Sequence, residues 1–279
     1  MMNRSKPGFN VARQILIRLI EHDSFGQAKA AAYSLILFFF PLLLFLVTVL
    51  VVTDALTVLA PQLIQVLSRI VPPDTMSLIT DYISAMAASE PTQLLVGAFA
   101  VMVWTGSGMM MSFMASLDRA YRVPSSHSLV KQRLVAIGLV FLVGIPLVLL
   151  ALLTIFGSLL ERFIAAQLSL TLPWFWTLAR WGVVLMATMV MIAIIYYVGP
   201  HRRQTWRRVL PGAGLATALW MLATLGFSAY VNRFGEYDVL YGSLGAGIVL
   251  LIWMYLSTLV VLIGGEFNAV LEATTNDGA

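Results

Sequence analysis

Cysteine and charged residues are scarce in this 279-residue chain, and each scarcity excludes a class of protein or site. Cysteine is absent, so disulfides, thiolate metal sites and a cysteine nucleophile are excluded. Charged residues make up only 11% of the chain, against about 25% in an average soluble domain. A chain that is 60% hydrophobic has too little polar surface to cover itself in water. The composition therefore predicts an integral membrane protein.

Motifs of soluble-type catalysis are also missing. The sequence has no HExxH, Walker A or GxSxG motif. Its three histidines, His22, His127 and His201, lie far apart without a second ligand at metal spacing. Asp and Glu do not cluster, although a two-cation nuclease or phosphatase needs grouped carboxylates. We expect no metal, no cofactor and no enzymatic activity, and we interpret His22 and Asp23 as a solvated polar turn.

Long apolar segments are what the chain does have, and they predict six membrane-spanning helices. A helix needs about 20 apolar residues to cross the hydrocarbon core, because it rises about 1.5 Å per residue. The segments of that length are Ala30–Thr53, Leu94–Leu117, Leu134–Leu160, Arg180–Val198, Val209–Tyr230 and Leu244–Ile263. The first exceeds the apolar core of a cleaved signal peptide, so we expect it to remain in the mature protein. The predicted fold class is all-α and integral to the membrane.

The distribution of Lys and Arg predicts the orientation of these helices. Thirteen of the 17 Lys and Arg residues precede the first span or lie in the second and fourth connections. The other four, in the odd-numbered connections, are Arg69, Arg162, Arg180 and Arg233. Because cytoplasmic loops carry the excess of Lys and Arg, both termini are predicted to be cytoplasmic.

Two segments outside the spans carry helical patterns. Phe9–Glu21 has a narrow apolar stripe, which predicts an interfacial helix, with an ordinary surface helix as the alternative. The first outer connection, residues 54–93, has apolar patterns on both sides of a double proline and predicts short amphipathic helices. We therefore predict a single membrane domain over residues 1–279. It would consist of an N-terminal segment (1–29), a six-helix bundle (30–266) and a cytoplasmic tail (267–279).

Glu266 follows the last predicted span. Leu244–Ile263 gives about 30 Å of helix, which puts Glu266 near the cytoplasmic headgroups. One interpretation is a boundary anchor, or a partner for one of the inner Lys and Arg residues. The other is that Gly264 and Gly265 let a neighbouring helix bury the carboxylate beside an Arg, in a gate or headgroup site. The sequence leaves both open.

Proline and glycine within the spans predict bent or closely packed helices, because proline removes a helix hydrogen bond and glycine lets backbones approach. The candidates are Pro41, Pro146, Pro211, Gly212, Gly242 and Gly245. Close packing is one interpretation, and bent helices with polar faces lining a path are the other. The pattern does not separate them.

Four stretches of the chain resemble one known family. They are AKAAAYSLILFFFPLLLFL from Ala28, SLDRAYRV from Ser116, YYVGPHRRQTWRRVLPGAGLATALW from Tyr196 and YGSLGAGIVLLIWMYLSTLVVLIGGEFNA from Tyr241. Together they resemble the YihY/BrkB family of bacterial inner-membrane proteins, in the right order over nearly the whole chain. The resemblance implies a six-helix inner-membrane protein with a role linked to envelope lipids or other amphiphiles.

Our leading hypothesis is a passive or gradient-driven translocator of lipid or another amphiphile. The basic residues on the predicted cytoplasmic side would gather anionic headgroups, at about 1 kcal/mol each. They are Arg202, Arg203, Arg207 and Arg208, with Arg119, Arg122, Lys131 and Arg133. Glu266 and Asn268 would stand at the inner gate. Alternatively, the basic residues only set topology and the protein is a non-transporting scaffold in envelope assembly; a membrane nuclease is a distant third. Membrane lipids are the expected partners, nucleic acid is not, and a homo-oligomer is left open.

Overall fold

The computed structural model describes residues 7–53, 91–123, 128–168, 173–234 and 238–276. These residues form helices without any β-strand, which confirms the all-α class. The seven helices of this part of the chain are α1 (Pro7–Glu21), α2 (Ser24–Val52), α3 (Pro91–Ala120), α4 (Leu129–Leu168), α5 (Pro173–Val198), α6 (Trp206–Phe234) and α7 (Asp238–Asn276).

Six helices, α2 to α7, are long and apolar enough to cross a membrane, which confirms the six predicted spans. The protein is therefore a multi-pass membrane protein. The helices extend beyond the predicted spans, since α4 has 40 residues and α7 has 39. Residues 267–276, predicted as part of a tail, continue α7. The cytoplasmic location of the termini stays a prediction.

Three prolines lie inside continuous helices: Pro41 in α2, Pro146 in α4 and Pro211 in α6. Each lacks the N–H that would close one helix hydrogen bond, yet none ends its helix. Gly242 and Gly245 lie in the first two turns of α7. The helices persist through these residues because, in lipid, a helix satisfies the polar groups of its own backbone.

The helix α1 covers Phe9–Glu21, where a helix was predicted, and it begins at a proline, which suits the first turn of a helix. Leu19 is buried and α1 packs against α7, while Leu16 and Ile20 are exposed. Placement at a membrane interface stays a prediction. The amphipathic helices predicted in the first outer connection fall almost wholly outside the described residues.

The chain divides into two compact units. The first comprises Met1–Ser34 and Ser107–Ala279, in which α4 packs on α5, α5 on α6, and α6 on α7. Its largest fully buried side chains include Tyr196, Met114 and Leu117. The second unit is Leu35–Gly106, where the rings of Phe45 and Phe99 lie 5.5 Å apart. The prediction of one membrane domain over the whole chain stays a prediction.

Candidate functional site

Glu266 lies buried on α7, with 2% of its surface exposed. Its Oε1 lies 2.7 Å from Nδ1 of His22 and accepts a longer hydrogen bond, of 3.5 Å, from the Ser24 hydroxyl. Its Oε2 has no hydrogen-bond partner among the described residues. A buried ionisable group within a candidate span is expensive, so it marks a functional site by default.

This geometry corrects two expectations. The sequence left open a boundary anchor, a Lys or Arg partner, or burial beside an Arg for Glu266; the carboxylate is buried, but the ionisable partner is His22 rather than Lys or Arg. A solvated turn was expected at His22, and that is wrong for the histidine, whose side chain is 14% exposed. Asp23 alone of the two remains exposed. The pair joins residues 244 positions apart, which no local pattern in the sequence reveals.

A tight turn between α1 and α2 positions His22. The N–H of His22 donates to the carbonyl of Arg18 at 2.9 Å, and the N–H of Gln27 donates to the carbonyl of Asp23 at 2.9 Å. Asp23 has a φ of 50°, in the left-handed region that Asp tolerates better than most residues. Its carboxylate lies where a Cβ on Gly26 would stand, so a larger residue at that position would displace the Asp23 side chain. The turn thus directs His22 and Ser24 toward α7.

Beyond Glu266, α7 packs on α6 through glycine. A Cβ on Gly212 would collide with the carbonyl oxygen of Gly264 and the side chain of Asn268. A Cβ on Gly264 would collide with the hydroxyl of Tyr196 and lie 2.8 Å from the Cβ of Ala216. The two backbones therefore approach as closely as small residues allow.

Asn268 binds the backbone of α6 on both sides of Pro211. Its Oδ1 accepts a hydrogen bond from the N–H of Gly212 at 2.7 Å, and its Nδ2 donates to the carbonyl of Val209 at 3.0 Å. Both backbone groups flank Pro211, which has no N–H to give. The side chain is 2% exposed. Asn268 thus holds the start of α6 against α7 through two hydrogen bonds to the backbone of α6.

The basic residues after α5 differ in how they are paired. Glu272 forms ion pairs with Arg202 and Arg208, the latter at 2.7 Å. Arg202 also lies over the ring of Tyr121, with its guanidinium carbon 4.6 Å from the ring centroid. Two of the four predicted headgroup-binding arginines thus share one carboxylate, while Arg203 and Arg207 are exposed.

Tyr121 sits just past α3, beside Arg202 and Asn268. Burial raises the pKa of its hydroxyl well above the usual range, although Arg202 opposes this by favouring the phenolate. The hydroxyl therefore stays protonated at physiological pH. It hydrogen-bonds the Asn268 side chain, which ties the end of α3 to the α6–α7 contact.

A second contact of α7, with the start of α2, is open. The two helices run antiparallel, since Ser24 pairs with Glu266 and the carbonyl of Ala28 accepts from the Thr258 hydroxyl at 3.0 Å. Farther along lies a groove of about 280 Å³. It is lined by Lys29, Ala32, Tyr33, Leu251, Ile252 and Tyr255. Lys29 is the only charged residue among the described residues that line it, and the groove is open at the surface, where Tyr33 is 63% exposed.

Sequence reasoning also missed a pair between Asp118 and His201. Asp118 Oδ1 accepts from the backbone N–H of His201 at 2.8 Å, and Oδ2 lies 2.6 Å from its Nδ1. The only signal was that each stands alone beside the end of a span. Within the described ranges, no group of three His, Cys, Asp or Glu residues could hold a metal ion.

Comparison with known proteins places these features in a family. The family model described as virulence factor BrkB matches residues 15–279. The putative ribonuclease-like protein YfkH of Bacillus subtilis is 31% identical over 267 residues, covering 93% of this chain and 94% of that protein. A UPF0761 membrane protein of Tolumonas auensis is 44% identical over 80 residues, 29% of this chain and 26% of the relative. One of Alteromonas mediterranea is 39% identical over 94 residues, 33% of this chain and 32% of the relative. No solved structure matches the chain.

Proposed function

Because this chain belongs to the virulence factor BrkB family of membrane proteins, we propose a membrane function for it: the passive or gradient-driven movement of an anionic lipid or related amphiphile. We further propose that it acts in the bacterial inner membrane, with both termini in the cytoplasm. It would serve the cell envelope there.

The groove between α2 and α7 is the observation that carries this proposal. Its shape and chemistry match an amphiphile, because one cation, Lys29, accompanies apolar walls formed by residues such as Leu251 and Ile252. A cation near an anionic lipid surface is worth about 1 kcal/mol. Each buried CH₂ group of an acyl chain adds about 0.8 kcal/mol. A lipid with its headgroup at Lys29 and its acyl chain along α7 would gain both contributions to its binding free energy.

The pair of His22 and Glu266 lies at the end of the same α2–α7 contact and serves as the gate in this proposal. It holds the start of α2 against α7 through one short hydrogen bond. Breaking that bond would free the turn before α2 and lengthen the groove. The carboxylate oxygen that lacks a partner offers an acceptor at that point.

Arg203 and Arg207 would collect anionic headgroups at the cytoplasmic surface, since both are exposed. Arg202 and Arg208 contribute less to collection in this proposal, because they share the carboxylate of Glu272. Their part is to fix α6 against α7. The sequence-based hypothesis is thereby narrowed from four arginines to two.

A leaflet-exchange assay tests the proposal. The purified full chain is reconstituted into liposomes with a headgroup-labelled phosphatidylglycerol, and an impermeant quencher is added outside. Translocation predicts a fluorescence loss well beyond half, because inner-leaflet lipid reaches the quencher. Loss held at half over many minutes contradicts the proposal and favours the non-transporting scaffold.

Matched variants locate the path. Leu251→Trp fills the groove, whereas Leu222→Trp adds the same bulk at a residue of α6 that is 64% exposed. The proposal predicts slow exchange only in the first. Equal rates in both variants contradict a path through the groove. The same preparation, incubated with RNA and Mg²⁺, tests whether the ribonuclease-like name of the Bacillus subtilis relative extends to this chain.

A further inference from the structure

The pair of His22 and Glu266 is buried where an uncompensated charge is costly. The two side chains are 14% and 3% exposed, and Glu266 lies within the candidate span of α7. An ionised group in such a place needs a partner of opposite charge or a proton of its own. The total charge of the pair therefore affects its stability, in addition to the hydrogen bond between Nδ1 and Oε1.

Few hydrogen bonds stabilise a negative charge on Glu266. An ionised carboxylate offers about four acceptor positions on its two oxygens. Here only Oε1 is engaged, by the ring of His22 at 2.7 Å and the hydroxyl of Ser24 at 3.5 Å. Oε2 has no hydrogen-bond partner among the described residues. The nearest compensation for the carboxylate charge is therefore a proton held within the pair.

Other cations do not replace that proton. Among the residues that the structure describes, His22 is the one that forms an ion pair with Glu266. Further charged or titratable groups lie on the elements around it: Arg18 of α1, Lys29 of α2, Tyr121 past α3, Tyr196 of α5, Arg208 of α6 and Glu272 of α7 itself.

These surrounding groups are either paired, uncharged or in contact with water. Arg208 pairs with Glu272, Lys29 is exposed and Arg18 is half-buried. Burial raises the pKa of the Tyr121 hydroxyl, which therefore carries no charge at physiological pH. The hydroxyl of Tyr196 donates to the carbonyl of Val261. Compensation for Glu266 thus depends on the proton shared with His22.

The charge of the pair depends on how many protons it holds. With an ionised carboxylate and a neutral imidazole the charge is −1, one added proton makes the pair neutral, and a second makes it +1. The Nδ1–Oε1 hydrogen bond can form whichever group carries the first added proton, because an imidazole nitrogen can donate or accept. Groups this close exchange protons as a unit. The buried pair is therefore most stable with one added proton.

We propose that His22 and Glu266 form a binding site for one proton, and that this proton keeps the turn before α2 closed on α7. Loss of the proton to water, or gain of a second one from water, leaves a single buried charge. Separation of the turn from α7 then hydrates that charge. The consequence for transport rests on the proposed function, in which this pair is the gate.

A fluorophore on the turn tests the inference in the full chain in detergent. Phe25 follows Ser24 and is 40% exposed, and because the chain has no cysteine, Phe25→Cys gives one site for a pH-insensitive dye. The anisotropy of the dye falls when the turn becomes mobile. It is measured from about pH 4 to about pH 9, a range that spans the ordinary titration of Glu and His. We expect a maximum within this range and a fall on both sides.

Two variants of the labelled chain should each remove one side of this profile. Glu266→Gln is neutral until His22 gains a proton, so the anisotropy should fall only on the acid side. His22→Gln is neutral until Glu266 loses its proton, so the anisotropy should fall only on the alkaline side. Either variant tests the inference if the other does not fold. A role in packing alone would lower the anisotropy without separating the two sides, and that result would overturn the inference.

Asp118→Asn is the matched control, because Asp118 and His201 form another pair of carboxylate and histidine, at 2.6 Å, among the described residues. This variant should keep both sides of the profile. Loss of either side in the control would assign the pH response to the pair of Asp118 and His201 and would overturn the inference.

Leaflet exchange over the same pH range separates the inference from the proposed function. Exchange that speeds up where the anisotropy falls supports both. The expected anisotropy profiles without any exchange support the proton site and contradict the proposed function. Exchange in a protein whose variants all share the wild-type anisotropy profile supports the function and overturns the inference.

Discussion

The last helix, α7, contacts two neighbours in opposite ways. Against α6 it presents Gly264 and Asn268, both buried, and the backbones meet with no room for a Cβ. Against α2 it leaves a groove in which Leu251 and Tyr33 remain 45% and 63% exposed. When two helices pack through glycine and a fully hydrogen-bonded side-chain amide, only one packing arrangement keeps all these contacts. A contact with an unfilled groove has room for a ligand. We therefore assign a structural role to the contact between α6 and α7, and ligand binding to the contact between α2 and α7.

The largest effect is expected from adding a methyl group to the closed contact. Gly212→Ala should lower the free energy of unfolding by about 3 kcal/mol, because the new Cβ meets the backbone of Gly264 and the side chain of Asn268. Thermal unfolding in detergent measures this. Gly214→Ala is the matched control on the same helix, since its Cβ would meet only a methionine methyl at 3.7 Å. Equal losses in both variants would remove the distinction between the two contacts of α7.

A smaller effect is expected at the buried carboxylate. Glu266→Leu should lower the free energy of unfolding by about 2 kcal/mol, because it leaves the ring nitrogen of His22 without its partner. Glu266→Gln retains an acceptor oxygen and should cost less than half as much. The thermal midpoints of both variants check this order. If the leucine variant is as stable as the glutamine variant, the hydrogen bond does not hold α2 to α7.

The smallest effect is expected at the surface of the closed contact. Glu272→Gln removes the charge that Arg202 and Arg208 share, and should cost about 1 kcal/mol, because the Arg208 side chain is 53% exposed and solvent screens the pair. High salt should shrink the difference from the wild-type chain. A loss of more than about 3 kcal/mol would mean that this ion pair, and not the glycine contact, secures α6 to α7.

The spans were predictable because a membrane demands a length of apolar helix that any sequence must display. The ends of α7 were not predictable, because a helix can continue beyond the hydrocarbon core that it spans. Gly264 and Gly265 lie inside α7, where close packing outweighs their low helix propensity. The packing candidate Gly212 was visible from its small-residue spacing with Ala216. Gly264 was also predicted as a position of close helix approach, but the sequence did not show that its neighbour would be Gly212 of α6.

The ionic contacts of the site were the least predictable. His22 and Glu266 meet only because the turn before α2 directs the histidine at α7. The basic residues after α5 suggested an open cationic surface, but one acid, Glu272, forms ion pairs with two of them from a helix far along the chain. A sequence reports how many charges lie on one side of a membrane, and the fold decides which remain unpaired.

The most direct test of our central claim is whether the groove between α2 and α7 selects anionic lipid. Because the chain has no cysteine, Leu251→Cys and Leu222→Cys each provide one site for a fluorophore. Brominated phosphatidylglycerol and brominated phosphatidylcholine then quench the dye by contact. We predict preferential quenching by phosphatidylglycerol at residue 251 alone, reduced about fivefold by Lys29→Gln, as the loss of about 1 kcal/mol implies. Equal quenching by the two lipids at residue 251 would contradict the account.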